Sequence, residues 1–331
     1  MPSPPGCRRS TDFDGAARRA LCLRHDGGVD LEPYRGELVA YCYRMLGAFH
    51  EAEDVAQEVM LRAWRARGRY DPARASVRTW LYRIATNACL TELEGRSRRP
   101  LPSGLGAPSE DTAAPLTPAD IRWLEPFPDA RYELDARADL RLALVAAMQI
   151  LPARQRAVLI LREVLEFPAA EVAALLDTSV PAVNSALQRA RAAVAQSAPD
   201  AVAVAEPDDR QGREAVARYA RAFEAGDVQA LVKLLTDDAV LEMPPVPLWY
   251  QGSAAYGRFM DRVFAMRGTG WVARAVSANG QPALAAYAPD SGGRRAHSLQ
   301  VFTVARGLIT RNVVFADPGI FAAFDLPERC D

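Results

Sequence analysis

The residues with the clearest capacity for chemistry lie between Pro168 and Ala195. Asn184, Ser185, Gln188, Arg189 and Arg191 bring two carboxamides, a hydroxyl and two guanidinium groups close together. Asn and Gln suit adenine edges, Arg suits guanine or phosphate, and Ser suits either. To use them on duplex DNA the chain needs a rigid rod that fits the major groove. The apolar residues supply its periodicity: Val183, Leu187, Ala190 and Val194 keep helical spacing, as do Val172, Leu175 and Leu176 before them. Asp177-Thr178-Ser179 is too short and too polar to continue either helix. Ser179 can cap the second helix, and Pro181 in its first turn has no N–H to lose. The pattern predicts a helix-turn-helix whose second helix offers Pro181, Asn184, Ser185, Gln188 and Arg189 to DNA. From this stretch alone, a helical hairpin with a solvated face is the alternative. Asp177 stands where such turns often carry Gly.

A second concentration of charge lies upstream. From Arg62 to Arg99 there are ten Arg against three acids, whereas Pro100 to Asp139 holds eight acids against three Arg. The 331-residue chain as a whole has a net charge of −1, so no global basic excess announces nucleic acid. A basic element beside an acidic segment suits DNA binding restrained by internal competition. The five cysteines are scattered and odd in number, and the three histidines are dispersed, so no metal site, cofactor or disulfide framework is expected. No run approaches a membrane span and no signal-peptide core opens the chain, which places the expected location in the cytoplasm, away from membranes.

Apolar spacing marks helices with Leu38, Tyr41, Cys42, Met45 and Leu46 inward, then Val55, Val59 and Ala63, then Val77, Trp80, Leu81, Ile84, Ala85 and Ala88. Acids at Glu51, Glu53 and Asp54 open the second of these, as the helix dipole favours. HEAEDVAQEVMLRAW (50–64) followed by ASVRTWLYRIATNACLTEL (75–93) resembles region 2 of an extracytoplasmic-function (ECF) sigma factor of the sigma-70 family. LPARQRAVLILREVLEFPAAEVAALLDTSVPAVNSALQRAR (151–191) resembles region 4. The resemblance implies core RNA polymerase and promoter DNA as partners. It assigns Asp54, Gln57 and Glu58 to the polymerase clamp. It assigns Arg74, Arg78, Arg83, Thr86, Asn87 and Arg96 to the −10 element, and the helix-turn-helix to the −35 element. A melted strand needs backbone cations and a group that can bond an unstacked base, which these residues offer. Glu92, Glu94 and Gly95 replace cations common in the family.

Seven prolines between Pro100 and Pro128 exclude a helix of any length there. About 40 such residues can extend over ~130 Å, enough to let two flanking domains reach separated promoter elements. Ile121 to Pro128 is unusually apolar for a linker and is expected to dock on polymerase, on its own domain or elsewhere in the chain.

Beyond Gln211 the texture changes. Helical spacing at Val216 to Phe223, at Leu231, Leu234 and Leu235, and at Tyr256 to Phe264 precedes β-like runs at 271–277, 282–288, 296–305 and 308–316. Asp290-Ser291-Gly292-Gly293 reads as a hairpin turn. ARYARAFEAGDVQALVKLLTDDAVLEMPP (217–245) resembles the start of a SnoaL-like domain, and Asp317 to Phe321 its closing motif. The fold class expected is therefore multidomain, with two all-α helical domains followed by an α+β SnoaL-like cone. The divisions are a mobile tail 1–28, region 2 at 29–96, a Pro-rich acidic linker 97–135, region 4 at 136–198, a hinge 199–211 and the cone at 212–327.

The cone admits two readings. As an enzyme, a cyclase or isomerase, it needs an acid or base, and Asp317, His297, Glu242 and Tyr250 are the candidates. As a regulator or ligand sensor, Trp249, Tyr250, Tyr256, His297 and Asp317 are candidates for a ligand pocket or regulatory contact, and the cone is expected to pack on region 2 or the linker. No carboxylate–His pair stands at a spacing that would set catalytic geometry, so the regulator is favoured and no catalytic residue is assigned. A free-standing DNA-binding regulator is the third reading, which the region-2 resemblance opposes.

Overall fold

The computed structural model describes residues 30–132, 140–197 and 209–330. The expected tail, the end of the linker and the expected hinge as far as residue 208 lie outside them; the hinge's last three residues, 209–211, begin a helix.

Three helices come first: α1 (Arg35–Leu46), α2 (Phe49–Ala66) and α3 (Val77–Leu93). Gly47 ends α1 at φ 73°, and a Cβ there would come within 2.9 Å of both Gln149 and Leu124, so conformation and packing both require glycine. Ser76 caps α3 by accepting from Thr79 N. Among the described residues, the linker between α3 and the next helix forms only 3₁₀ turns, at Pro102–Gly104 and Asp129–Arg131. Then follow α4 (Leu142–Met148), α5 (Ala153–Leu159) running into a π turn, α6 (Ala169–Leu175) and α7 (Val180–Ser197). The residue that turns the chain between α6 and α7 is Asp177, at φ 48°; aspartate tolerates the left-handed region that glycine usually fills.

The last unit opens with α8 (Asp209–Ala225) and α9 (Val228–Val232), then β1 (Leu235–Met243), β2 (Val246–Gln251) and α10 (Ser253–Arg267). It continues with β3 (Val272–Ala278), β4 (Gln281–Asp290), β5 (Gly293–Ala305), β6 (Leu308–Phe315), α11 (Ile320–Ala323) and β7 (Arg329–Cys330). The sheet runs β2-β1-β6-β5-β4-β3, with β7 added on β5; β1 and β6 are parallel and the other pairs antiparallel. The expected helix through Leu231, Leu234 and Leu235 is shorter than read. It stops at Val232, and Leu235 already pairs with Ile309. Apolar residues three and four apart cannot distinguish a helix from a helix end running into a buried strand.

Both faces of this sheet are covered. Leu241, Leu284, Ala286, Phe302 and Ile309 face an apolar cluster with α8 and α10. Ala283, Ala285, Tyr287, Leu299, Val301 and Val313 belong instead to a cluster continuous with α1 to α7. A strand half-buried in an isolated cone would alternate apolar and polar; the run Ala283 to Ala288 is buried throughout. Among the described residues, no helix is long and apolar enough to cross a membrane.

Candidate functional site

Helix α7 displays the expected polar face. Val183, Leu187, Ala190 and Val194 are buried, while Pro181, Asn184, Ser185, Gln188 and Arg189 are all exposed. Arg191 lies off that group and pairs with Glu163 at 2.6 Å.

The second polar face is formed by α3 and the loop before it. Arg74 and Asn87 are exposed. Arg78 donates through Nε to Glu37 at 3.1 Å and through a terminal nitrogen to Leu165 O, and its guanidinium lies 4.7 Å above the Phe167 ring. Arg83 pairs with Asp177 at 3.1 Å, and Thr79 Oγ1 donates to Glu171 at 2.9 Å. The partners Leu165, Phe167, Glu171 and Asp177 all belong to the α5–α7 unit, so that unit covers part of α3's polar face. Thr79, which spacing alone did not single out, is part of this contact.

Thr86 requires a correction. It is fully buried, donates to Tyr82 O at 2.6 Å and lies 2.7 Å from the Tyr41 hydroxyl, so it ties α3 to α1 and presents nothing to a nucleic acid. Arg96 is engaged by Glu51 and Glu92. On α2, Asp54 and Gln57 are exposed, and Glu58 accepts from Arg62 at 2.7 Å.

The β3–β4 turn holds residues that the periodicity did not mark. Asn279, fully buried at φ 58°, donates through Nδ2 to Tyr43 OH on α1 and to Leu140 O beside α4. It accepts from Phe127 N through Oδ1 and donates its backbone N–H to Phe127 O. Next to it, Gly280 N donates to Asp129, and Gln281 accepts from Leu142 N at 2.9 Å. The signal that could have found this turn is the dipeptide Asn279-Gly280 between two β-like runs.

Three family models match this chain: Sigma-70 region 2 over residues 31–99, Sigma-70, region 4 over 141–194, and a SnoaL-like domain over 216–312. The ECF RNA polymerase sigma factor SigG of Mycobacterium tuberculosis is 45% identical over 316 residues, covering 92% of this chain and 85% of that protein. The chain is an ECF sigma factor. The sigma factor SigJ of the same organism is 28% identical over 311 residues, covering 91% of this chain and 95% of SigJ. The crystal structure of SigJ superposes with a TM-score of 0.62 at 25% identity, covering 90% of this chain and 99% of that one. The sigma factor thus carries region 2 on α1–α3, region 4 on α4–α7, and a mixed-sheet SnoaL-like domain.

In this sigma factor the linker runs along the SnoaL-like domain. Ser103 N donates to Glu242, which is fully buried and also accepts from Arg311 at 2.8 Å. Trp249 donates through Nε1 to Gly106 O and accepts from Ser109 N through its carbonyl, and Tyr250 OH donates to Asp111 O. Arg262 holds Thr112 O and Ala114 O. Tyr256 is not at the linker. Its hydroxyl lies 2.7 Å from that of Tyr219 and accepts from Asn312, filling the interior of the cone. Burial raises the Tyr256 phenol to about 12. His297 stands edge-on to Trp271, and burial, with Arg267 nearby, lowers its pKa to about 4, so it is neutral at pH 7. Asp317 is exposed and accepts from Gly319 N in a tight turn. The five candidate pocket residues are therefore spread over four surroundings.

Proposed function

We propose that this ECF sigma factor binds core RNA polymerase and directs promoter recognition, and that its SnoaL-like domain holds regions 2 and 4 in a closed arrangement that must open for initiation. The observation that carries this reading is the ion pair of Arg83 and Asp177. Arg83 belongs to the candidate −10 surface and Asp177 to the turn of the candidate −35 reader. Two promoter elements separated by turns of duplex, at ~34 Å each, cannot be read by surfaces in direct contact. The linker is long enough to span them when extended, at ~3.3 Å per residue. In this arrangement its Gly106 to Ala114 stretch is hydrogen-bonded to the SnoaL-like domain instead.

Asp54, Gln57 and Glu58 are the polymerase contacts of this reading. Arg74, Arg78, Arg83, Asn87 and Arg96 serve the −10 element. Pro181, Asn184, Ser185, Gln188 and Arg189 serve the −35 element. The SnoaL-like domain acts as a regulator without catalysis. Its candidate acid Asp317 closes a turn, Glu242 is neutralised by Arg311, and Tyr250 holds the linker. The test is promoter-dependent transcription with core polymerase, comparing the full chain with one stopped after Glu206. Initiation by both, stronger from the shorter chain, is expected. Failure of both to bind core would overturn the sigma reading.

A further inference from the structure

Region 2, the linker and region 4 meet around a cavity of about 290 Å³. Among the described residues, five guanidinium groups line it, those of Arg96, Arg98, Arg99, Arg122 and Arg156, against the single carboxylate of Glu51. Three of them converge on that carboxylate: Arg122 at 2.5 Å, Arg99 at 2.6 Å and Arg96 at 3.4 Å. Glu92, outside the lining, takes a second bond from Arg96. Arg156 is 4% exposed, and its terminal nitrogens go to neutral acceptors, the carbonyls of Met45, Gln149 and Leu151 and the Gln149 side chain. Its Nε–H has no acceptor among the described residues. Arg98 is exposed and has no carboxylate partner among the described residues.

We propose that this cavity binds a small anion carrying two or three linked phosphates. Guanidinium forks match phosphate oxygens in pairs, and Arg holds its charge where Lys would lose it on burial. The positive excess exceeds what one carboxylate or one monoanion neutralises, which points to a polyphosphate rather than a simple acid. The lining comes from three segments that separate when regions 2 and 4 part, so the ligand binds the closed arrangement and favours it by the same free energy. Glu51 is the internal competitor for the ligand's charge.

The site depends on the closed arrangement being formed and not on that arrangement being inhibitory, so binding is measured apart from transcription. The experiment is calorimetric titration of the full chain with sodium tripolyphosphate and with pyrophosphate, at ionic strength held constant with chloride. The expected result is one saturable site, bound at least about tenfold more weakly after Arg98→Ala with Arg122→Ala. Glu51→Gln should move affinity the other way and bind more tightly. That opposite sign decides the matter if the double variant fails to fold. Equal binding by the wild type and Glu51→Gln, or no binding above the chloride control, overturns the proposal. So does a result in which only duplex DNA, and no free polyphosphate, depends on Arg98 and Arg122, because the cationic cluster is then a backbone contact.

Discussion

Asn279 Nδ2 lies 2.8 Å from the Tyr43 hydroxyl, across 236 residues of sequence. Tyr43 in turn donates its O–H to Glu125 O in the linker, and burial keeps the phenol well above its usual pKa, so it remains a donor. A single side chain at the tip of the SnoaL-like domain therefore joins region 2, the linker and the start of region 4.

Replacing Asn279 by Ala removes three side-chain hydrogen bonds among buried groups and forces a β-carbon-bearing residue without a local partner to hold φ 58°. A loss of about 2–4 kcal/mol in unfolding free energy is expected. Asn279→Gly keeps the backbone unstrained and isolates the hydrogen bonds. Both variants should initiate transcription more strongly than the wild type at temperatures where they stay folded, with faster proteolysis of the linker as a second readout.

Arg83 and Asp177 should separate stability from function. Their side chains are 53% and 78% exposed, so breaking the pair costs at most about 1 kcal/mol. Asp177→Asn keeps a residue that tolerates φ 48° and should raise promoter-dependent transcription by freeing Arg83. Arg83→Ala should lower it. Equal effects of the two variants in a run-off assay would count against Arg83 as a DNA contact.

The face of α7 makes a sharper test of base reading. Asn184, Gln188 and Arg189 are exposed, so Gln188→Ala and Arg189→Ala should leave the melting temperature within the change that about 0.5 kcal/mol produces. Discrimination between −35 duplexes should fall by about 1–3 kcal/mol for each base edge no longer read, measured by competition binding with the polymerase holoenzyme.

His297 predicts the acid limb of stability. The folded chain keeps it neutral down to about 4, whereas an unfolded histidine takes up its proton near 6.5. Between those values the unfolded state binds more protons, so stability is complete above about 6.5 and falls as pH drops toward 4, by about 3 kcal/mol at most. His297→Phe should flatten that limb in urea titrations at pH 7 and pH 4.5. An unchanged slope would show that other groups govern it.

Much of this organisation is a local property of the chain. Helical spacing from Val172 to Val194 marks α6 and α7, because one buried stripe every 3.6 residues is written into any helix that packs on one side. Proline density marks the linker, because Pro removes the N–H a helix needs. The exposed side chains of α7 follow directly, since they are what the stripe leaves over. The region-2 and region-4 motif blocks were legible for the same reason, as runs of consecutive residues.

Relations across long separations were not legible. Thr86 and Asn87 are neighbours of similar polarity, yet Thr86 is buried against Tyr41 and Asn87 is open; the rotation of α3 against α1 decides between them. The all-apolar run Ala283 to Ala288 shows that both faces of a strand are covered, but not that helices from the far end of the chain cover one of them. Asn279 is polar, follows a strand and precedes glycine, which specifies a turn and nothing more. Its role arises because folding brings Tyr43, Phe127 and Leu140 to that turn, where each has a polar group that burial would otherwise leave unpaired. The sequence by itself determined the helices of the DNA-binding regions, the family and the exposed polar residues of α7, all of which depend on neighbours a few positions away. Only the tertiary structure decided which cations are engaged, which polar residues are buried and what holds the two DNA-binding regions together, because those depend on partners tens to hundreds of residues distant.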